Sequence, residues 1–90
     1  MTITFETDVK RLFRPGDISC MRVYDVKLDD YAWMSDPAPG GGFTDHANAR
    51  TVFARLTGAK KPRMPVGGPY WTDPQIKTFE QWMMDGFAEK

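Results

Sequence analysis

The sequence predicts an all-α domain of about four short helices joined by long irregular loops. Three observations carry this. Apolar residues recur at i, i+3, i+4 spacing in three separate segments. Proline and glycine interrupt the chain between those segments. No alternating apolar–polar run exceeds four residues, which leaves no candidate for a half-buried strand.

The first helix is expected to start at Thr7 or Asp8, either of which can cap, and to run through Phe13. Val9, Leu12 and Phe13 form its apolar face. Arg14-Pro15-Gly16 ends it, and Asp17 is placed to cap a second short helix from Ile18 to about Tyr24. Asp29-Asp30 can cap a third, through Met34. Residues 35–42 hold two prolines and three glycines and read as a loop. Thr44 or Asp45 is expected to cap a helix over 46–57, with Ala49, Val52, Phe53 and Leu56 as its stripe and Gly58 as its C′ residue. Residues 59–71 carry three prolines and read as an irregular connector.

The last helix has the strongest signals. Thr72 and Gln75 match the capping box, and Trp71 and Ile76 are placed for a hydrophobic staple. Ile76, Phe79, Trp82, Met83 and Phe87 make a continuous apolar stripe, and Gly86 closes the helix. The expected span is 73–85.

Ninety residues predict one domain, spanning 1–90, with a thin core. Cys20 is the sole cysteine, so no internal disulfide staples the chain. The twelve aromatic residues and six methionines offer bulk instead. Twelve acidic and twelve basic residues cancel and form no basic stripe, which argues against a nucleic-acid partner. The N-terminus shows no basic n-region followed by an apolar h-region, and no apolar run approaches about 18 residues. These features predict a cytoplasmic protein with no membrane partner.

Two segments resemble the class I cytochrome c family. The first is Leu12-Phe13-Arg14-Pro15-Gly16-Asp17-Ile18-Ser19-Cys20-Met21, at the place of the helix that leads into Cys-x-x-Cys-His. The second is Arg63-Met64-Pro65 followed by Ile76, Phe79, Trp82 and Gly86, at the place of the family's Met-Pro loop and aromatic C-terminal helix. The resemblance covers Val9 to Phe87. It implies a small cytochrome c-like fold whose N- and C-terminal helices cross.

The departures from the family bear on function. Asp17 stands at the first thiol position, and Met21 stands where the family has its proximal imidazole. Cys20 and Met64 keep the second thiol and the distal thioether positions. These degenerate haem-site positions predict no covalent haem and no other cofactor. The space of the absent ring must then be filled or lined by other groups. Tyr24, Tyr31, Trp33, His46, Tyr70 and Trp71 are the candidate pocket lining, and Phe43 lies in the same surroundings.

Single residues read more blandly. Cys20 reads as a small buried hydrophobe, Asp17 as a cap and His46 as a solvated first-turn residue. Met21, Met34, Met64, Met83 and Met84 read as core filler rather than a soft copper site. Lys60, Lys61 and Arg63 read as a solvated loop, and no metal site is expected. Gly40-Gly41-Gly42 lacks the following Lys-Ser/Thr of a phosphate loop. One histidine with no placed serine gives no catalytic triad.

The leading functional expectation is therefore a haem-free accessory or protein-interaction module. It would act as a homodimer or beside a protein partner such as a redox enzyme. The alternative is a remodelled pocket that binds a small molecule or a metal, with or without catalysis. A third reading is an atypical haem carrier through Cys20 alone. The purified protein is expected to be colourless. A Soret band in protein made beside a working cytochrome c maturation system would reverse that expectation.

Overall fold

A computed structural model of the chain describes residues 3–61, 63, 64 and 69–89. Four α-helices lie among them: α1 (Pro15–Arg22), α2 (Tyr31–Met34), α3 (Ala47–Thr57) and α4 (Asp73–Met84). A π-helical turn over Phe5–Val9 runs directly into a 3₁₀ turn over Lys10–Leu12. The described residues contain no strand beyond one isolated bridge between Gly40 and Phe43. The fold is thus mostly helical. Among the described residues, no helix is long and apolar enough to cross a membrane.

The N-terminal helix starts earlier than expected and is not a regular α-helix. Thr4, not Thr7 or Asp8, precedes its first turn. Asp8 instead accepts a hydrogen bond from the Thr4 amide at 2.9 Å, so it caps from inside the turn. The cause is tertiary. The amides of Phe5 and Glu6 donate to the carbonyls of Ala88 and Glu89 at 2.8 and 2.9 Å, which ties the two chain ends together. Phe5 and Val9 are then buried, and Phe13 leaves the turn in an extended conformation but stays in the core.

Helix α1 also begins upstream of the expected cap. Arg14 is its N-cap and Pro15 its first residue, where a missing amide costs nothing. Asp17 sits in the first turn rather than at the cap. Its carboxylate accepts from the Arg14 amide at 3.2 Å and from the Arg14 guanidinium at 3.0 Å twice. The helix ends at Arg22, short of Tyr24. Asp30 caps α2 by accepting from the Trp33 amide, while Asp29 pairs with Arg22 at 3.3 Å.

Helix α3 starts one residue later than expected, behind His46, which holds the cap position with φ 45°. Asp45 does not cap; its carboxylate takes Arg50 at 2.7–2.8 Å. Gly58 closes α3 at φ 89°, as its C′ position demands. A Cβ there would also stand 3.1 Å from the Arg63 side chain. In the connector, Met64 donates its amide to Arg55 at 2.9 Å, and the described residues form no regular element. Pro62, Pro65, Val66, Gly67 and Gly68 fall outside the described residues.

Helix α4 carries the expected box. Gln75 Oε1 accepts from the Thr72 amide at 2.8 Å, and Thr72 Oγ1 accepts from the Gln75 amide at 3.5 Å. Its face buries Phe79 and Trp82, with Ile76 and Met83 partly buried. Met84 is not core filler but 73% exposed. Gly86 turns the chain at φ 98°, and Phe87 folds back at φ 60° into the core.

One hydrophobic cluster runs from Phe5 to Phe87, with Trp82 at its centre. That ring is fully buried, 5.5 Å from Phe5, 5.5 Å from Phe79 and 5.1 Å from Phe87. Phe13 meets Phe79 edge-on at 6.5 Å, so both ends of the chain share this contact. Trp82→Ala is expected to cost about 3–5 kcal/mol, the range for truncating a buried large ring. Met84→Ala should stay within about 0.5 kcal/mol. Urea denaturation of the two variants checks the contrast.

Candidate functional site

Helix α1, the connector and α3 do not close completely on one another. A cavity of about 230 Å³ remains between them, lined by Phe13, Gly16, Asp17, Cys20, Met21, Leu28, Leu56, Met64 and Trp71. Phe13, Met21, Leu28, Leu56, Met64 and Trp71 are buried and form an apolar inner wall. Gly16 and Cys20 are exposed, and Asp17 is half-buried, so the first turns of α1 form the mouth.

The local sequence explains this division. Asp17 and Cys20 are three residues apart on α1 and share a face. Met21, one turn after Asp17 and offset from Cys20, enters the core at 1% exposure. The Met64 backbone N–H donates to the Arg55 carbonyl near the end of α3, which holds Met64 inward. Trp71 lies 5.1 Å from Phe13 and forms the rear wall with it. A Cβ added to Gly16 would meet nothing within 4 Å, so the entrance is wide there.

The four positions that the family resemblance singles out, Asp17, Cys20, Met21 and Met64, therefore line one cavity. Cys20 corrects the bland reading: its thiol is exposed rather than buried. Of the six aromatic or imidazole candidates for the lining, Trp71 alone is among the lining residues.

The others are used elsewhere. Tyr24 and Tyr70 are half-exposed, with Arg55 5.7 Å from the Tyr24 ring and Arg63 4.2 Å from the Tyr70 ring. Tyr31 packs at 5.6 Å on Phe5 and donates its hydroxyl to the Phe87 carbonyl at 2.6 Å. Trp33 lines a separate, more polar cleft with Tyr24, Asn48, Thr51 and Arg55. His46 is not a solvated residue. Its ring stacks on Phe87 at 3.7 Å, with only 4° between the planes. Its side chain is 23% exposed, and Nδ1 lies 3.3 Å from Asp45.

Sequence reasoning missed Phe13, Leu28 and Leu56 as lining. Their apolar periodicity marks them as core, and nothing local distinguishes a core residue at a void from one in a filled layer. It also missed a second depression, between α3 and α4. There Phe43, Phe53, Met83 and Met84 form an apolar groove flanked by Arg50 and Glu80. Among the described residues, no group of three or more His, Cys, Asp or Glu side chains is placed to hold a metal ion.

No protein-family profile, no curated protein and no solved structure matches the chain.

Asp45 carries the clearest electrostatic signature near these elements. The hydrogen bond from Arg50, and then that from His46, holds its carboxyl below the ordinary value, against a smaller opposing effect of desolvation. A depressed carboxyl contributes stability that is full above its unfolded pKa and is lost as pH falls through the folded one. Stability should therefore drop on acidification below about pH 4. Asp45→Asn is expected to flatten that part of the curve and leave the slope above it unchanged. Urea midpoints taken across the acid range check this. Asp85, lowered by Gln81 and then by the Ile3 amide, supplies a slope of the same sign in the variant.

Proposed function

We propose that this chain is a haem-free cytochrome c-like domain that binds a small ligand in the cavity behind Asp17 and Cys20. The observation that carries the reading is the convergence of Asp17, Cys20, Met21 and Met64 on one opening with an apolar interior. The packing of the N-terminal turn and Phe13 against α4 is in keeping with the crossing of terminal helices that the family resemblance implies.

The residues present do not fit a covalent haem. The carboxylate at the first thiol position is engaged by Arg14, and the side chain at the proximal position is a buried thioether. The cavity is also too small. An apolar cavity of roughly 150 Å³ holds one benzene ring, and a haem is several such rings across. The cavity here takes a compact ligand of about six to ten non-hydrogen atoms. Its apolar body would lie against Phe13, Leu56 and Trp71, with a donor group turned toward Asp17.

A second reading, the protein-interaction module, is favoured by the groove between α3 and α4. Met84 stands in the open there, beside Phe43, Phe53 and Met83.

A panel of one-ring compounds, with and without an N–H or O–H donor, tests the pocket reading. Binding is followed through the methionine methyl resonances. Shifts confined to Met21 and Met64, with dissociation constants of about 0.1–1 mM, are expected. Gly16→Leu should place a side chain across the entrance and abolish them. Shifts at Met83 and Met84 instead would move the function to the α3–α4 groove.

A further inference from the structure

A second cleft, of about 360 Å³, runs along α3. Asn48, Thr51 and Arg55 recur at i, i+3, i+7 on that helix and form its floor. Trp33 of α2 and Tyr24 of the turn after α1 stand at its sides. The Asn48 side-chain amide donates to the Trp33 carbonyl at 2.9 Å, which ties that wall to the floor. The Lys60 backbone N–H donates to the Ala54 carbonyl at 3.1 Å, which sets Lys60 at the rim near Arg55. None of these residues lines the cavity behind Asp17 and Cys20.

Arg55 sets the chemistry of the cleft. Among the described residues it is the sole polar or charged residue that is buried, at 9% exposure. Arginine stays charged in proteins, and a buried charge is screened less by water and salt than a surface one. Its guanidinium carbon lies 5.7 Å from the Tyr24 ring, so the charge is directed at the part of the cleft that these two residues share. A guanidinium has five donors and matches a carboxylate with two parallel hydrogen bonds, beside any other partner it holds.

We propose that this cleft binds an aromatic monocarboxylate, with Arg55 as the carboxylate anchor, Lys60 as a second cation at the rim, and Trp33 and Tyr24 against the ring. The site is separate from the pocket reading and does not rest on it. The floor from Asn48 to Arg55 measures about 10 Å along the helix axis. That is the length of a ring joined to a carboxylate by a two-carbon chain. Asp25 and Asp36 also line the cleft and are exposed. They balance the two cations, so a single negative charge is accommodated and a phosphate dianion is repelled. Asp36 holds its own loop by accepting from the Ala38 amide at 2.9 Å. Asp25 sits at φ 60°, a conformation that Asn adopts as readily, so its charge can be removed without strain.

The test is a titration of the full chain with 3-phenylpropionate, followed through the indole and side-chain amide N–H signals. The tryptophans separate the sites: Trp33 lines the cleft, Trp71 the cavity, and Trp82 neither. Shifts at the Trp33 indole and the Asn48 side-chain amide are expected, with a dissociation constant of about 0.1–1 mM. The uncharged 3-phenylpropionamide should bind about tenfold more weakly, and 2-phenylethyl phosphate no more tightly than the carboxylate. Arg55→Gln should abolish binding. Because that change alters a buried side chain and can unfold the chain, the decisive variants are at exposed positions. Lys60→Gln should weaken binding about two- to fivefold, and Asp25→Asn should tighten it about two- to fivefold, a gain that no folding defect can mimic.

Equal affinity for the acid and its amide would remove the anchor and overturn the proposal, as would unchanged affinity in both Lys60→Gln and Asp25→Asn. Tighter binding of the phosphate overturns the ligand class. A Trp33 indole that does not respond to the acid overturns the site. Shifts at Trp71, Met21 and Met64 in its place would put the acid behind Asp17 and Cys20, and would leave the pocket reading standing.

Discussion

The closure of the chain ends around Trp82 is the constraint on which the rest of the fold depends. Ala88 supplies a single carbonyl that accepts from the Phe5 amide at 2.8 Å and from the Trp82 indole at 2.9 Å. Its neighbours Phe87 and Glu89 accept from Tyr31 and Glu6. Three consecutive residues thus bind the N-terminal turn, α2 and α4 to one short irregular segment. A buried indole N–H left without a partner would cost about 1–3 kcal/mol. The Ala88 carbonyl therefore both satisfies the largest ring in the core and fixes the first residue of the first helix. The π-helical start follows from this: Phe5 must reach Trp82 while its amide reaches Ala88, and a regular turn beginning at Asp8 would leave Phe5 outside.

The same closure decides where the core is full and where it is not. Phe5, Phe79, Trp82 and Phe87 pack on one another at centroid distances of 5.1–5.5 Å where they meet Trp82. At the other end of α4, Phe79 reaches Phe13 and Trp71, and the ring cluster stops there. Helix α1 is held beyond that point by its own first turn. Pro15 fixes the entry, and the Arg14–Asp17 pair holds the carboxylate at the rim. Ile18 is packed against the core and Met21 is within it, but Gly16 has no side chain to contribute. The cavity lies where an aromatic cluster ends and a glycine begins.

Much of this was legible in the sequence, because much of it is local. The α4 capping box, the Gly58 C-cap and the Asp30 cap each depend on residues within four positions of one another. The all-α class follows from helical periodicity alone. What could not be read is set by contacts distant in the chain. The stacking of His46 on Phe87 spans 41 positions and requires positive φ at both residues, which no local propensity favours. Asp17 and Asp45 look like caps by composition, yet each is drawn to an arginine that binds it more strongly than an amide does. The identity of the wall around the cavity was half legible. The four positions marked by the family resemblance line it, but half-exposed Tyr24 and Tyr70 stand beside Arg55 and Arg63 instead.

A void of this size has an energetic meaning in so small a chain. At roughly 24 cal/mol per Å³, an enclosed empty cavity of 230 Å³ would cost about 5.5 kcal/mol. Total stability for ninety residues is about 5–13 kcal/mol. A sealed void would thus consume much of the margin. The opening at Gly16 and Cys20 relieves this, because solvent can reach the mouth while the apolar wall behind it stays in contact with the core. Filling the wall with a larger side chain at Leu56 or Met64 is an obvious route to greater stability, and the sequence does not take it. Any occupant that fits recovers dispersion contacts that the empty wall lacks, and it stabilises the fold in proportion to its own affinity. Binding and folding are therefore linked through the same few residues.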